Sequence, residues 1–347
     1  MRRRPVSLLI LLTLCLCGLV ATGCGEDEPS SGGSGSSGST EKKIKVGLVT
    51  DIGGLNDRSF NQLANEGLER AKSELSVEGR VLTSAKNSDY VPNLSSLAQQ
   101  KYDIIIGVGF LMSDAINTVA TKFPDTNFAI IDFSQAALKG KPTNVRGLLF
   151  KEAEAGYLAG TLAGLYVKDK GGDQVISSVG GQKIPPVDAY IAGYQAGAKK
   201  VNPDVKTLNG YSQDFVKQDL CKEEALNQIA EGSQVVFQVA GQCGLGALDA
   251  AKEKGVLGIG VDADQGHLGD HILTSALKKI DEAVFATVGE VQEDAYKGGS
   301  DVVFDLSNDG VGYGETNEIG TKYAEQVKEI QDKIASGELA DIPDTVD

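Results

Sequence analysis

The chain has 347 residues, 41% hydrophobic and 23% charged, with a formal net charge of -15. That suits one large or two medium globular domains with ample core. The acidic surface repels nucleic acid and anionic lipid headgroups, so nucleic acid is not expected as a partner, and the spread of acid along the chain reads as solubility.

The N-terminus carries the most specific signal. Arg2, Arg3 and Arg4 form a basic n-region, and Val6 to Val20 an apolar h-region shorter than the ~20 residues of a spanning helix. Ala21-Thr22-Gly23-Cys24 resembles a bacterial lipobox, with Ala21 where Leu is more usual. Residues 1–23 then read as a lipoprotein signal peptide, and Cys24 as the lipidated first residue of the mature chain. An ordinary secretion signal and a transmembrane anchor are the alternatives. Residues 24–41 form a Ser/Gly-rich tether; a flexible coil over Gly25 to Thr40 spans about 20 to 24 Å. Two or more acyl chains would hold such a protein stably on a membrane.

Beyond Glu41, short apolar runs alternate with amphipathic segments. The run Ile44–Thr50 predicts a buried strand, followed by Asp51, a Gly53-Gly54 turn and a helix over Phe60–Leu75 with Ser59 placed to cap it. Further strands are expected at Val81–Thr83, Asp103–Val108, Phe128–Asp132, Val145–Phe150, Val175–Val179, Val205–Leu208, Val235–Val239, Leu257–Val261 and Ile272–Thr274. Between them helices are expected at Leu94–Gln100, Ser113–Lys122, Glu152–Val167, Asp188–Val201, Val216–Glu231, Leu245–Lys254, Lys278–Tyr296 and Thr321–Ala335. Strand and helix in turn imply α/β architecture with parallel sheets covered on both faces. That many strands exceeds one open sheet, so two doubly wound lobes with a cleft between them is the simpler solution.

Of the five cysteines, Cys15 and Cys17 leave with the leader and Cys24 is the lipid site. Cys221 and Cys243 remain as an even pair in an oxidising compartment. We expect a disulfide; two buried free thiols are the alternative.

Three carboxylates stand out by position. Asp51, Asp132 and Asp262 each close an apolar run, in GLVTD, NFAIID and GIGVD. In parallel sheets all three fall at strand C-termini, where ligands bind. Asn56, Asp57, Phe60 and Asn61 follow the first of them; capping and turn formation account for such residues equally well. Lys278 is the nearest cationic partner. Three acids around one base suit a ligand that offers N–H donors and paired hydroxyls, and repel phosphate or carboxylate. Phe60, Phe110, Tyr211 and Phe215 flank the acids, either as core or as platforms for a flat ring. A flat heterocycle joined to a sugar matches that inventory.

Catalytic patterns are missing. The two histidines, His267 and His271, sit in a glycine-bearing segment without Cys or Glu in support, so no metal site is expected. Two histidines in such a loop assemble no Ser-His-Asp or Cys-His set. Gly107-Val108-Gly109 lacks the third glycine of a dinucleotide fingerprint, and no Walker-type loop occurs. Ala240 to Gly246 is a glycine turn opening a helix, suited to lining a crowded cleft. Neither a catalytic residue nor a cofactor is expected.

TDIGGLNDRSFNQLANEGL resembles the opening motif of the basic membrane protein family of lipoproteins, which includes PnrA-like nucleoside-binding proteins of ABC transporters. The resemblance continues through NVRGLLFKEAEAGYLAGTLAG, IAGYQAGAKKVNP, VVFQVAGQCGLGALDAAKEKG, GIGVDADQ and LTSALKKIDEAV, in the family's order. It implies a type I periplasmic-binding-protein fold with two Rossmann-like lobes joined by hinge crossovers. We place residues 42–147 plus about 265–300 in the N-terminal lobe, and residues 148–264 plus about 301–347 in the C-terminal lobe.

The resemblance further implies a purine nucleoside ligand and ABC permease subunits as partners, on the extracytoplasmic face of the cell membrane. By the same carry-over Asp51 and Asp132 accept hydrogen bonds from the base, and Phe60 stacks on it. Asp262 and Lys278 hold the ribose hydroxyls, Gly241 admits ligand close to backbone, and Asn61 shapes the turn. Asn56 stands where the family usually has an aspartate, which makes selectivity at that position an open question. The second stacking aromatic is Tyr211 or Phe215. A sugar or sugar-derived signal is the alternative cargo, and a surface sensor or adhesin the alternative class.

Overall fold

The computed structural model describes residues 43–346. The expected signal peptide, the lipid site Cys24 and the tether lie outside the described residues. The first half runs β1 (Lys45–Val49), α1 (Phe60–Glu74), β2 (Glu78–Leu82), α2 (Tyr90–Gln99), β3 (Ile104–Gly107), α3 (Ser113–Lys122), β4 (Asn127–Ile131) and β5 (Val145–Phe150). Next come α4 (Glu152–Lys170), β6 (Val175–Gly180), α5 (Pro185–Val201), β7 (Lys206–Tyr211), α6 (Gln218–Ala230), β8 (Ser233–Val239), α7 (Gly241–Lys254), β9 (Leu257–Asp262) and β10 (Ile272–Lys278). The chain closes with α8 (Ile280–Gln292), β11 (Ser300–Phe304), β12 (Val311–Tyr313), α9 (Glu318–Thr321) and α10 (Ala324–Ala335).

The strands form two sheets, ordered β11-β5-β4-β3-β1-β2 and β12-β10-β9-β8-β6-β7. Their pairings are parallel except that of β10 with β12. Strands such as Ile104-Ile105-Ile106 are wholly buried, as sheets covered on both faces require. The chain passes between the lobes at Lys151, at Lys279 and between β11 and β12.

Two sheet memberships move the expected lobe limits. β10 pairs with β9 in the second sheet, so residues 265–278 belong with the C-terminal lobe. β11 pairs with β5 in the first sheet, where the Phe304 and Phe150 rings stack at 4.9 Å. Both β11 and β12 escape sequence reading because they are short edge strands with at most three apolar residues in a row. Helix α5 starts at Pro185, ahead of the expected Asp188, because proline suits a first helical turn.

Candidate functional site

Asp51 follows β1, Asp132 follows β4 and Asp262 ends β9, so all three acids sit at the carboxyl ends of central strands. Asp132 and Asp262 both have left-handed backbone, with φ of 67° and 61°. Aspartate tolerates this region better than most residues, at a cost that tends to be kept where position matters. The three carboxylates line one hollow of about 630 Å³, counting the solvent at its mouth. Phe60, Asn61 and Phe110 line it from the N-terminal lobe, and Phe215, Gly241 and Lys278 from the other.

The turn after β1 is held by side chains. Asn61 Oδ1 accepts the Asp51 amide at 2.9 Å, while the Tyr90 hydroxyl and the Ile52 amide donate to Asp51 Oδ1. Asp57 accepts the amides of Ser59, Asn61 and Gln62 at 3.1, 2.7 and 3.1 Å. Asp57 therefore caps α1, and the expected cap Ser59 does not. The Ser59 hydroxyl donates instead to Asp262 Oδ2 at 2.6 Å in the opposite lobe. The Tyr190 hydroxyl donates to Asp262 Oδ1 at 3.2 Å.

Burial pushes Asp51 up to about 6, and the Tyr90 and Ile52 donors pull against it. Burial likewise pushes Asp262 up to about 6, opposed by the Lys278 ammonium and the Ser59 hydroxyl. Lys278 is 2% exposed. Its ammonium lies 2.6 Å from Asp132 Oδ1 and 2.8 Å from Glu152 Oε1. Burial works against its charge, yet Asp132, Glu152 and Asp262 outweigh burial and hold it above the ordinary ammonium range. The same cation sits 5.3 Å from the Phe60 ring centre and 4.8 Å from that of Phe150. Lys278 thus ties the lobes together: β10 carries it, Asp132 receives it from the other sheet, and Glu152 receives it at the first crossover.

Most of the residues singled out in the sequence meet in this hollow. Asp51, Phe60, Asn61, Asp132, Phe215, Gly241, Asp262 and Lys278 all line it. Two do not. Asn56 lines a separate hollow with Arg58, Gln62 and His271, because its neighbour Asp57 takes the inward position over α1. Tyr211 spends its hydroxyl on Asp188 Oδ1 at 2.5 Å, and its ring covers Gly180, where a Cβ would fall 2.6 Å from it. Phe215, not Tyr211, is the aromatic on that wall.

Sequence reasoning misses Glu152, Tyr90, Tyr190 and Gly109. Glu152 and Tyr190 look like ordinary helix residues, and only the long-range contacts reveal them. Gly109 does carry a signal, the Gly-Val-Gly after β3. Its φ is 109°, and a Cβ there would lie 2.7 Å from Asp51 Oδ2. A side chain at 109 would close the approach to that carboxylate.

Residues 44–344 match the family described as ABC transporter substrate-binding protein PnrA-like. The chain belongs to this family. The CD4+ T-cell-stimulating antigen of Listeria innocua is 33% identical to this PnrA-like protein, over 98% of each chain. The ABC transporter nucleoside-binding protein BmpA of Lactococcus lactis is 34% identical, over 82% of this chain and 85% of its own. A lipoprotein of Pyrococcus abyssi is 36% identical, over 90% of this chain and 78% of its own. Among solved structures, an ABC transporter solute-binding protein from Aeropyrum pernix K1 superposes with a TM-score of 0.78 at 28% identity, over 86% of this chain and 94% of that one. The two lobes are the type I periplasmic-binding-protein fold, and the PnrA-like chain is a substrate-binding protein of the ABC transporter class.

Proposed function

We propose that this protein captures a purine nucleoside between its lobes and delivers it to the permease of an ABC importer, held by N-terminal lipid on the extracytoplasmic face of the cell membrane. The observation that carries the reading is the meeting of Asp51, Asp132 and Asp262 with Phe60 and Phe215 around one hollow. Ionised carboxylates only accept hydrogen bonds, so they select a neutral ligand rich in N–H and O–H donors. Aromatic rings lining the hollow from both lobes suit a flat one, at about 1–3 kcal/mol per stacked base. The nucleoside-binding relative from Lactococcus lactis and the lipoprotein relative from Pyrococcus abyssi support cargo and anchoring respectively.

In this reading the base lies on Phe60 with its N–H edge toward Asp51 and Asp132, and the ribose hydroxyls reach Asp262 and Lys278. Closure follows because ligand bridges both lobes. Ligand shifts that equilibrium only by its greater affinity for the closed state than for the open one. Affinity of about -8 to -12 kcal/mol, micromolar to nanomolar, suffices for capture. A thermal-shift screen with nucleosides, free bases, pentoses and hexoses tests the cargo. Purine nucleosides should raise the unfolding temperature as RT ln(1 + [L]/Kd) requires. Stabilisation by pentoses and hexoses alone would assign the hollow to a sugar.

A further inference from the structure

The disulfide lies beside the hollow, and its two ends grip different parts of the wall. Cys221 sits in the first turn of α6 and Cys243 in the first turn of α7, with Cα atoms 5.6 Å apart and both side chains fully buried. The loop from β7 to α6 brings Phe215 to the hollow. The Cys243 amide donates to the Phe215 carbonyl at 3.0 Å, so the bridged residue itself holds the loop. Two residues before Cys243 lies Gly241, another lining residue.

The rest of the loop is held on its other side. The amides of Val216 and Lys217 donate to Asp214 Oδ1 at 2.7 and 2.8 Å, a turn within the loop itself. The amides of Ser212 and Gln213 donate to the carbonyls of Gly180 and Gly181 at the loop's start. The Phe215 ring lies over Gly181, where a Cβ would collide with it. The ring is only partly buried against the lobe's core, so the loop's tie to α7 helps set its depth.

We propose that the Cys221–Cys243 disulfide is a positioning element for ligand recognition, clamping the Phe215 loop to the first turn of α7 so that the ring and the Gly241 backbone form one wall. The clamp acts on the second face of the ligand, the face left open between Tyr211 and Phe215 by sequence alone. Its ligand side rests on the nucleoside reading above; its mechanical side does not. The bond works by restricting where the loop can go, so its removal should loosen ligand through faster dissociation.

The test uses the full chain with guanosine as probe. Isothermal titration of the unaltered protein comes first, since absence of guanosine binding there counts against the nucleoside reading and leaves the clamp to be judged by hydrogen exchange. The variant Cys221→Ala/Cys243→Ala should then bind guanosine about tenfold more weakly. Phe215→Ala should cost a much smaller factor in the bridge-free background than in the bridged one. In ligand-free protein, the backbone amide at position 243 should exchange with deuterium faster without the bridge, while the amides of β1 and β3 stay protected. Cys221→Ala/Cys243→Val, which refills the space, replaces the alanine pair if that pair fails to fold. Unchanged exchange at position 243 overturns the proposal whatever the ligand. Equal Phe215→Ala factors in both backgrounds would overturn it too.

Discussion

Ser59 Oγ donates to Asp262 Oδ2 at 2.6 Å, joining the start of α1 in one lobe to the end of β9 in the other. A second link, from Gln265 Nε2 to the Arg58 carbonyl at 3.2 Å, lies beside it. The lobes are therefore latched through the carboxylate that would also meet ligand. With the Tyr190 hydroxyl on Oδ1, the Ser59 hydroxyl fixes the carboxylate's rotation and leaves the remaining lone pairs for a guest.

Ser59→Ala should weaken guanosine binding roughly tenfold, since a buried carboxylate left short of a donor costs about 1–3 kcal/mol. Helix α1 should keep its content by circular dichroism, because Asp57 and not Ser59 caps it. Titration within twofold of the unaltered protein would show that the latch does not matter to binding.

Asp262→Ala removes the acceptor itself. We expect a loss of well over tenfold in nucleoside affinity, at roughly 2 kcal/mol or more. Isothermal titration with unchanged affinity would remove Asp262 from the site.

Acidification should weaken binding. Asp51 and Asp262 are both pushed up to about 6, and a ligand that donates N–H and O–H bonds needs them ionised. Affinity should be flat from neutral pH upward and fall by up to about tenfold per pH unit for each group below about 6. Stability of the empty protein has the opposite sign from these two groups. Their folded pKa exceeds the ordinary 3.8, so the native state holds protons that the unfolded chain releases. They therefore stabilise the fold as pH falls from about 6 toward 3.8. Titrations at several pH values, with unfolding scans alongside, check both signs; equal affinity on either side of pH 6 would contradict the first.

Lys278→Met leaves Asp132 and Glu152 buried without their shared cation. Breaking such a network from one side costs about 3–5 kcal/mol. Denaturant unfolding should show a loss of that order, and adding Glu152→Gln should restore part of it. A Lys278→Met protein as stable as its parent would mean the triad adds nothing to the fold.

Much of this is legible in the sequence, and the reasons differ by residue. Asp51, Asp132 and Asp262 each end a buried apolar run, so parallel pairing puts each at the carboxyl edge of its sheet, and the facing of the two lobes brings them together. Glu152 is invisible because it opens a helix where acids are common, and only Lys278, 126 residues away, gives it meaning. Ser59 misleads for the same reason: a hydroxyl before a helix looks like a cap, and Asp57 already takes that role. Phe215 cannot be separated from Tyr211 by spacing. The Tyr211 hydroxyl bond to Asp188 holds that ring away from the hollow, and it depends on α5 packing over β6, the neighbour of β7. The lobe limits differ from expectation because β10 joins the second sheet and β11 the first, which is a matter of long-range strand pairing.

The most direct measurement is a calorimetric comparison of guanosine, guanine and ribose on the same preparation. Guanosine should bind with micromolar or tighter affinity, and guanine and ribose should each bind far more weakly, because only the joined ligand reaches Phe60 with Asp51 and Asp262 together. Tight binding of ribose with silence from guanosine would contradict a site built for a base and its sugar.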